Sequence, residues 1–270
     1  MKILAIMGSP RDGQTKKAVE IFEKLLKEYI EVDFTYLYLK NMKLEICKGC
    51  ALCLSKGEEY CPLKDDKDII LKKMDEADGV IFATPNYSLQ VSGLMKNLFD
   101  RLAFIFHRPR FFHKISTSIV TQGIYGGGDI SKYLSTLSKF WGFVSIPGVT
   151  LTTPWGAYNP NTEWTKEGEE KIHIKLDKLA KKFHKGLIGN KSPKPKLNQL
   201  IIFRLVRSAQ KYSINHDRDH VYFRDNGWFQ SDYYYNVRLG FVQKTIGKLI
   251  DKIQQKNLGK SIIKEENSEA

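Results

Sequence analysis

The sequence has no long hydrophobic run: none of its apolar stretches approaches the roughly 18–20 residues that a membrane-spanning helix needs. The N-terminal apolar piece, Ile3–Met7, is too short for a secretion-signal core and has no cleavage motif after it. Proline is scarce, at 9 residues, and with 20 glycines and 27% charged residues this composition excludes collagen, low-complexity scaffolds and wholesale disorder. We therefore expect a folded, cytoplasmic protein with no transmembrane segment.

Acidic residues are also under-represented, with 30 Asp and Glu against 43 Lys and Arg, a formal net charge of +13. Such an excess can indicate nucleic acid, an anionic membrane face or acidic ligands as partners. However, there is no long block of basic residues, and no aromatic platform motif that would stack single-stranded bases. We therefore expect the dispersed charge to serve solubility, and we expect no nucleic-acid partner.

Five short apolar or β-branched runs, bounded by turn residues, predict strands, and the spacing of apolar residues between them predicts helices. The predicted strands are Lys2–Met7, Val32–Leu39, Gly79–Thr84, Ser116–Thr121 and Phe143–Leu151. A closing helix covers about residues 163–185. Near-continuous apolar strands alternating with helices are typical of a parallel sheet covered on both faces. The predicted fold is α/β, a flavodoxin-like, doubly wound, five-stranded parallel sheet of order 2-1-3-4-5.

The proline-rich sequence KSPKPK at 191–196 cannot continue a helix, and it places a domain boundary there. Residues 1–189 form the predicted flavodoxin-like domain and residues 190–270 a C-terminal extension. The extension contains a helix over 197–206, an aromatic-rich stretch over 221–235 and an amphipathic helix. The apolar face of that last helix comprises Leu239, Val242, Ile246, Leu249, Ile250 and Ile253. We expect this face to pack into a core and to support dimer contacts. A lid over the site and a membrane-surface helix are alternatives.

The segment Gly8–Thr15 (GSPRDGQT) follows the first strand and opens a helix, which is where parallel α/β sheets bind phosphates. It has P-loop spacing, but Gln14 replaces the essential lysine, which disfavours a nucleoside triphosphate. It is not a G-x-G-x-x-G loop, and no acidic residue ends the second strand, which disfavours a dinucleotide site. The hydroxyls of Ser9 and Thr15, with Arg11 and Gln14, suit a monophosphate ester such as that of FMN.

The loop G-S-P-R-x-G-x-T, with Ala83–Tyr87, Ser92–Gly93, Lys96 and Asp100–Arg101, resembles the NADPH-dependent FMN reductase family, including its iron–sulfur flavoprotein branch. The resemblance covers about residues 1–187. It implies that three loops bind FMN. The first loop would hold the phosphate through Ser9, Arg11, Gln14 and Thr15. The other two would flank the ring through Pro85, Asn86, Tyr87 and Ser88, and through Thr121, Gln122, Gly123, Tyr125 and Gly126. Asp100 and Arg101 are expected to be structural.

All four cysteines lie in one short stretch, Cys47-x2-Cys50-x2-Cys53-x7-Cys61. A disulfide framework is not expected in a cytoplasmic chain. Two successive x2 spacings resemble the cysteine motif of iron–sulfur flavoproteins, which implies that these four residues ligate a [4Fe–4S] cluster. A zinc site, or reduced cysteines that pack near the flavin, are the alternatives.

The predicted function is that of an FMN-dependent oxidoreductase that takes hydride from NAD(P)H and passes electrons to a small acceptor. The acceptor would be a quinone, a flavin, a nitro- or azo-aromatic compound or a metal ion. Because FMN carries the chemistry, no catalytic side chain is assigned. The alternative is an iron–sulfur flavoprotein that carries electrons supplied by ferredoxin. A homodimer or higher oligomer is expected in either case.

Overall fold

The computed structural model of the protein describes residues 1–154, 162–189, 192–213 and 216–266. Its strands are β1 (Lys2–Met7), β2 (Asp33–Tyr38), β3 (Gly79–Pro85), β4 (Ile115–Gln122), β5 (Val144–Ser145) and β6 (Val149–Thr152). Its helices are α1 (Gln14–Lys27), α2 (Leu52–Ser55), α3 (Lys67–Glu76), α4 (Gly93–Arg101), α5 (Phe104–His107), α6 (Gly127–Phe140), α7 (Lys166–Ile188), α8 (Leu197–Lys211), α9 (Arg218–Asp225) and α10 (Phe241–Glu266).

The chain forms two compact units. The first comprises Met1–Lys48 and Leu63–Lys191, and the second comprises Gly49–Pro62 and Ser192–Ala270. The second unit thus includes a segment from within the first half of the chain, in addition to the predicted C-terminal extension. In that segment α2 packs against α9. Three of the four cysteines belong to the second unit, and Cys47 belongs to the first.

The first unit is built on a parallel sheet of order β2-β1-β3-β4-β5, which confirms the predicted fold class. β1 lies between β2 and β3, with Met7 opposite Tyr38 on one side and Ala83 on the other. The strands β1, β3 and β4 are almost entirely buried because helices cover both faces of the sheet. All strands end at the same edge, so the loops that follow β1, β3 and β4 are neighbours there.

The helices α1 and α7 cover one face of this sheet. The ring of Phe22 in α1 meets that of Phe183 in α7 edge to face, with their centroids 5.7 Å apart. Both rings are fully buried, in a core cluster shared with β1, β3 and β4. This packing holds the start of α1 against the sheet and thereby positions the loop that precedes it.

The last predicted strand, Phe143–Leu151, is broken in two. β5 pairs with the start of β4, where Ile115 lies opposite Val144, and β6 pairs with its end. Pro147, between the two strands, has no backbone N–H to donate to the ladder. Gly148 approaches β4 so closely that a Cβ there would lie 2.1 Å from Ser118 Oγ. The interruption therefore has a local cause that the alternation of apolar residues did not reveal.

Aromatic side chains form the core of the second unit. Phe203, Phe223, Trp228 and Tyr233 are all buried. The Trp228 ring packs edge to face on Phe223, with centroids 5.0 Å apart, and its indole N–H donates to the Tyr234 carbonyl oxygen at 3.0 Å. The aromatic-rich stretch singled out in the sequence is therefore core packing around α8 and α9.

The expectation that the apolar face of α10 packs inward is wrong for much of that face. α10 packs on α8, but Gly247 is its buried residue there, and a Cβ on Gly247 would lie 3.2 Å from Arg204 Cζ. Val242, Leu249 and Ile253 are instead exposed. Leu239 is buried and Ile246 and Ile250 are half-buried, as expected, and a polar contact between Arg204 and Asp251 joins the two helices. No described helix combines the length and apolar character needed to cross a membrane.

Candidate functional site

The loop Gly8–Gly13 joins the carboxyl end of β1 to α1. The Ser9 side chain is buried, accepts a hydrogen bond from the Arg11 amide at 3.2 Å and donates to the Arg11 carbonyl oxygen at 2.7 Å. Ser9 therefore shapes the loop, and its hydroxyl proton is already used within it. Gly8 donates to the Ala83 carbonyl oxygen at 2.8 Å and accepts from Ser92 Oγ at 2.5 Å, which ties the loop to β3 and α4.

The amino end of α1 is open to an anion. Its N-cap is Gly13, no side chain caps it, and its first turn contains no acidic residue. The first amides of a helix lack intrahelical acceptors and carry the positive end of the helix dipole. An anionic oxygen at this end would supply the acceptors that the sequence of α1 does not provide.

Gln14 and Thr15, the first two residues of α1, are both buried. Thr15 Oγ1 lies 2.7 Å from Thr121 Oγ1 of β4, and this bond links the first and third predicted cofactor loops. Gln14 Nε2 donates to the Thr162 carbonyl oxygen at 2.5 Å, whereas Gln14 Oε1 is buried and has no partner. A buried acceptor without a donor is costly, so this oxygen calls for a ligand hydroxyl or N–H.

The second loop follows β3 and contains a tight two-residue turn. Tyr87 and Gln90 pair across it, and the two residues between them, Ser88 and Leu89, have φ of 50° and 64°. Left-handed backbone is unfavourable for residues other than glycine and is concentrated at functional sites. Leu89, within this strained turn, is a large apolar residue that is 52% exposed.

Asn86 joins the second loop to the third. Its backbone N–H donates to the Thr121 carbonyl oxygen at 2.7 Å, and its side-chain Nδ2 donates to the Tyr125 carbonyl oxygen at 2.8 Å. Asn86 Oδ1 is buried and has no hydrogen-bond partner, so it is, like Gln14 Oε1, an acceptor without a donor in these loops. Pro85, which precedes it, ends β3 opposite Thr121.

The third loop follows β4 and relies on glycine. Gly126 has φ of 92°, and a Cβ there would lie 2.6 Å from Leu89 Cδ2, so the second and third loops touch at this point. Gln122 Oε1 accepts from the Gly127 amide at 2.7 Å and fixes the start of α6. Tyr125, in the same loop, is 67% exposed.

The predicted cofactor residues therefore lie in one cluster of three loops. Arg11 Nη2 donates to Tyr87 Oη at 3.4 Å, which connects the first loop to the second. Sequence reasoning missed Thr162, whose carbonyl oxygen orients Gln14, and Leu89, which the strained turn presents. Thr162 lies shortly before α7 and belongs to no distinctive motif, and Leu89 belongs to an exposed loop that also lacks one.

The four cysteines do not form a metal site in the described part of the chain: no three His, Cys, Asp or Glu side chains there are grouped to hold an ion. Cys50 is exposed, and Cys47, Cys53 and Cys61 are partly buried. The Cys47 amide donates to Asn97 Oδ1 at 3.2 Å, and Asn97 Nδ2 donates to the carbonyl oxygens of Leu44 and Glu45. The segment before the cysteines is thus held on α4.

Arg101 and Asp100 differ in their surroundings. Arg101 Nη2 and Asp65 Oδ1 form a buried ion pair at 2.7 Å. Burial by itself would raise the pKa of Asp65, but hydrogen bonds from Arg101 and from the amides of Glu45 and Lys67 outweigh it and lower that pKa. Asp100 pairs with Lys96 at the surface, where such bridges contribute little.

Comparison with known proteins indicates the family of this chain. The profile of the NADPH-dependent FMN reductase family matches residues 1–156. One iron–sulfur flavoprotein of Archaeoglobus fulgidus is 32% identical over 191 residues, which cover 67% of this chain and 93% of the relative. Another from the same organism is 34% identical over 149 residues, which cover 54% of this chain and 66% of that relative.

A solved structure shares the fold over most of the chain. The crystal structure of RosB with bound 8-demethyl-8-formylriboflavin-5'-phosphate matches with a TM-score of 0.54 and 14% identity, covering 89% of this chain and 92% of RosB. That similarity concerns the fold alone. The family match, in contrast, covers more than half of the sequence and includes all three loops described above. The predicted family is therefore confirmed: the chain belongs to the NADPH-dependent FMN reductase family and is an oxidoreductase.

Proposed function

We propose that this protein is an FMN-dependent NAD(P)H oxidoreductase in which the three loops hold FMN. The observation that carries the proposal is the combination of an uncapped α1 with two buried, unpartnered acceptors, Gln14 Oε1 and Asn86 Oδ1. FMN offers what each requires, because its phosphate accepts from helix amides and its ribityl hydroxyls and ring N–H donate. Bound FMN would supply hydride and electron transfer.

The side chains then have distinct tasks. Ser9 would shape the loop so that the loop amides and Arg11 face the phosphate. The Thr15 hydroxyl, which lies within hydrogen-bond distance of Thr121 Oγ1, would also be directed at the phosphate. Pro85, Asn86, Tyr87 and Ser88 would line one edge of the ring. Gln122, Gly123, Tyr125 and Gly126 would line the other. The exposed side of this cluster would admit reduced nicotinamide and then a small acceptor.

The test is a titration of apoprotein with FMN and with riboflavin, which lacks the phosphate. For the double variant Ser9→Ala/Thr15→Ala we expect FMN to bind at least about tenfold more weakly. Without Ser9 the loop amides no longer face the phosphate, and without Thr15 one hydroxyl donor is lost, where hydrogen bonds to charged groups contribute about 1.5–3 kcal/mol. Riboflavin binding should change little. Thr136→Ala, an exposed position on α6, is the matched control. Equal loss for both ligands, or no loss for FMN, contradicts the assignment.

The cysteine motif and the names of the relatives favour a second candidate, an iron–sulfur flavoprotein that carries electrons supplied by ferredoxin. In the described part of the chain no three His, Cys, Asp or Glu side chains are grouped to hold an ion, so no step is assigned to a cluster. Two measurements separate the candidates. Iron and acid-labile sulfide in anaerobically purified protein report the cluster. Rapid anaerobic bleaching of the flavin band by NADH or NADPH supports the oxidoreductase, and its absence supports the carrier.

A further inference from the structure

The second unit exposes a strip of large apolar side chains on α10. Val242 is 64% exposed, Leu249 56% and Ile253 46%. At 100° per residue, these three positions lie within an arc of about 40° and therefore form one line along the helix. Phe241, the first residue of α10, is 85% exposed and extends the apolar surface at that end. Such a contiguous exposed strip is unusual on a protein that does not use it for binding.

The rotation of α10 is fixed by contacts on its other side. Gly247 is buried against the Arg204 guanidinium, and Asp251 pairs with both Arg204 and Arg207 of α8. The Arg204 and Arg207 side chains are 4% and 9% exposed, and their partner Asp251 is 30% exposed. Gly247 and Asp251 lie about 160° around the helix from the apolar strip. The strip therefore points away from α8 and cannot turn inward without breaking this ion cluster.

A row of lysines winds around α10 towards the strip: at 100° per residue, Lys244 lies about 160° from the centre of the strip and Lys256 about 40° from it. Lys244, Lys248, Lys252 and Lys256 recur every fourth residue, and all four are exposed. Asp251 is the one acidic residue between Phe241 and Leu258, and it is already engaged by two arginines. The exposed surface of α10 thus combines large apolar side chains with positive charge that no acidic residue of this stretch balances.

This combination of positive charge and apolar surface discriminates between three possible binding partners of α10: a second copy of the chain, a nucleic acid and a lipid surface. A second copy meeting the strip about a twofold axis would bring two lysine rows together, which is repulsive. A nucleic acid would attract the lysines but would leave Leu249 and Ile253 against water. An anionic lipid surface satisfies both features, because its headgroups attract lysines and its acyl boundary accepts apolar side chains. We propose that α10 docks the protein on an anionic lipid bilayer, lying in the plane of the interface.

Vesicle binding tests the proposal directly. The full-length protein is sedimented with vesicles of phosphatidylcholine containing phosphatidylglycerol, and with vesicles of phosphatidylcholine alone. We expect sedimentation with the anionic vesicles only, and weaker sedimentation at high salt because the electrostatic part is screened. In the variant Leu249→Trp, tryptophan emission should shift to the blue on anionic vesicles. The matched variant Ile174→Trp, at an exposed apolar position of α7, should show no shift.

Two pairs of variants separate the contributions. Lys248→Gln/Lys252→Gln should weaken partitioning by at least about tenfold, since each lysine near an anionic surface contributes roughly fivefold. Lys178→Gln/Lys182→Gln on α7 removes the same charge and should change it little. Leu249→Ser/Ile253→Ser should weaken partitioning by about tenfold or more, whereas Ile174→Ser should not. All these positions are exposed, so thermal unfolding should be unchanged.

Four outcomes overturn the proposal. The first is the absence of binding to either kind of vesicle, and the second is equal binding to both kinds. The third is vesicle binding that Leu249→Ser/Ile253→Ser leaves intact, because binding without these apolar side chains indicates simple adsorption of a cationic protein. The fourth is a dimer, measured by light scattering, that Leu249→Ser/Ile253→Ser dissociates while vesicles fail to bind. Single-stranded RNA serves as a further probe: binding that requires the lysines but not Leu249 and Ile253 also argues against a lipid surface.

Discussion

At the scale of single residues, the third loop depends on two successive glycines for different reasons. Gly126 adopts φ of 92°, a conformation that side-chain-bearing residues rarely adopt. Gly127 has ordinary backbone angles but no space, because a Cβ there would lie 2.4 Å from Thr150 Cγ2 and 2.7 Å from Gln122 Oε1. Thr150 is β-branched and cannot easily rotate away. The close approach of α6 to β6 therefore requires glycine at 127.

Gly127 is crowded whereas the next residue, Gly128, is not, and this difference gives a prediction with an internal control. Gly127→Ala should lower the free energy of unfolding by about 1–3 kcal/mol, the usual cost of overpacking. Gly128→Ala, one residue further along α6, meets nothing within 4 Å and should be neutral or stabilising by up to about 1 kcal/mol. Urea unfolding of both variants measures the two changes. Equal effects at the two positions would show that the contact with Thr150 does not restrict residue 127.

At the scale of elements, a buried ion pair anchors the segment that leads into the cysteines. Asp65 receives hydrogen bonds from the Glu45 amide at 2.9 Å and from Arg101 of α4 at 2.7 Å. Asn97, one turn earlier on α4, holds the Cys47 amide. α4 therefore positions the chain before the cysteine run, and the roles of Asn97 and Arg101 in this structure are structural.

The pair gives a pH-dependent prediction. Arg101→Leu leaves Asp65 buried without its cation, which should cost about 3–5 kcal/mol of unfolding free energy at neutral pH. Arg110→Leu, which breaks a half-exposed pair with Asp75 at 2.8 Å, should cost no more than about 1 kcal/mol. Urea unfolding across a pH series measures both.

The direction of this pH dependence of stability follows from the lowered pKa of Asp65. A carboxyl whose pKa is lowered in the folded state contributes stability above its unfolded pKa of about 3.9 and loses it as the pH falls through the folded value. The difference between the native protein and Arg101→Leu should therefore be largest at neutral pH and should shrink below about pH 4. A difference that is independent of pH would mean that Asp65 is not the group involved.

At the scale of the whole molecule, the two compact units have separate cores. The first is built on apolar strands with Phe22 and Phe183, and the second on aromatic residues such as Phe203 and Trp228. A core of its own allows a unit to unfold as a cooperative block, and chains with two such units often depart from two-state behaviour.

We therefore expect calorimetric unfolding to resolve two transitions. Phe22→Ala should lower the midpoint of one transition and Phe203→Ala that of the other, because each removes a fully buried ring at a cost of about 3–5 kcal/mol. If both variants lower the midpoint of one shared transition, the two units unfold together.

Much of the first unit was predictable because its signals are local. β1 has the predicted bounds, and β3 and β4 extend beyond theirs by one or two residues, since short apolar runs between turns have few alternatives in a parallel sheet. The three loops were likewise predictable, because they follow strands whose carboxyl ends share an edge. The break in the last strand was not predicted: Pro147 is a local signal against a continuous strand, but the close approach of Gly148 to Ser118 depends on the tertiary structure.

The sequence by itself determined the sheet order, the loops that gather at its edge and the family, since these follow from residue types at fixed spacings along the chain. Only the tertiary structure decided which way α10 faces. Amphipathic periodicity identifies a stripe of Leu, Ile and Val but not its direction. The Asp251 ion cluster and the close approach of Arg204 to Gly247 turn Val242, Leu249 and Ile253 outward, and both depend on residues of α8 more than 40 positions away in the chain.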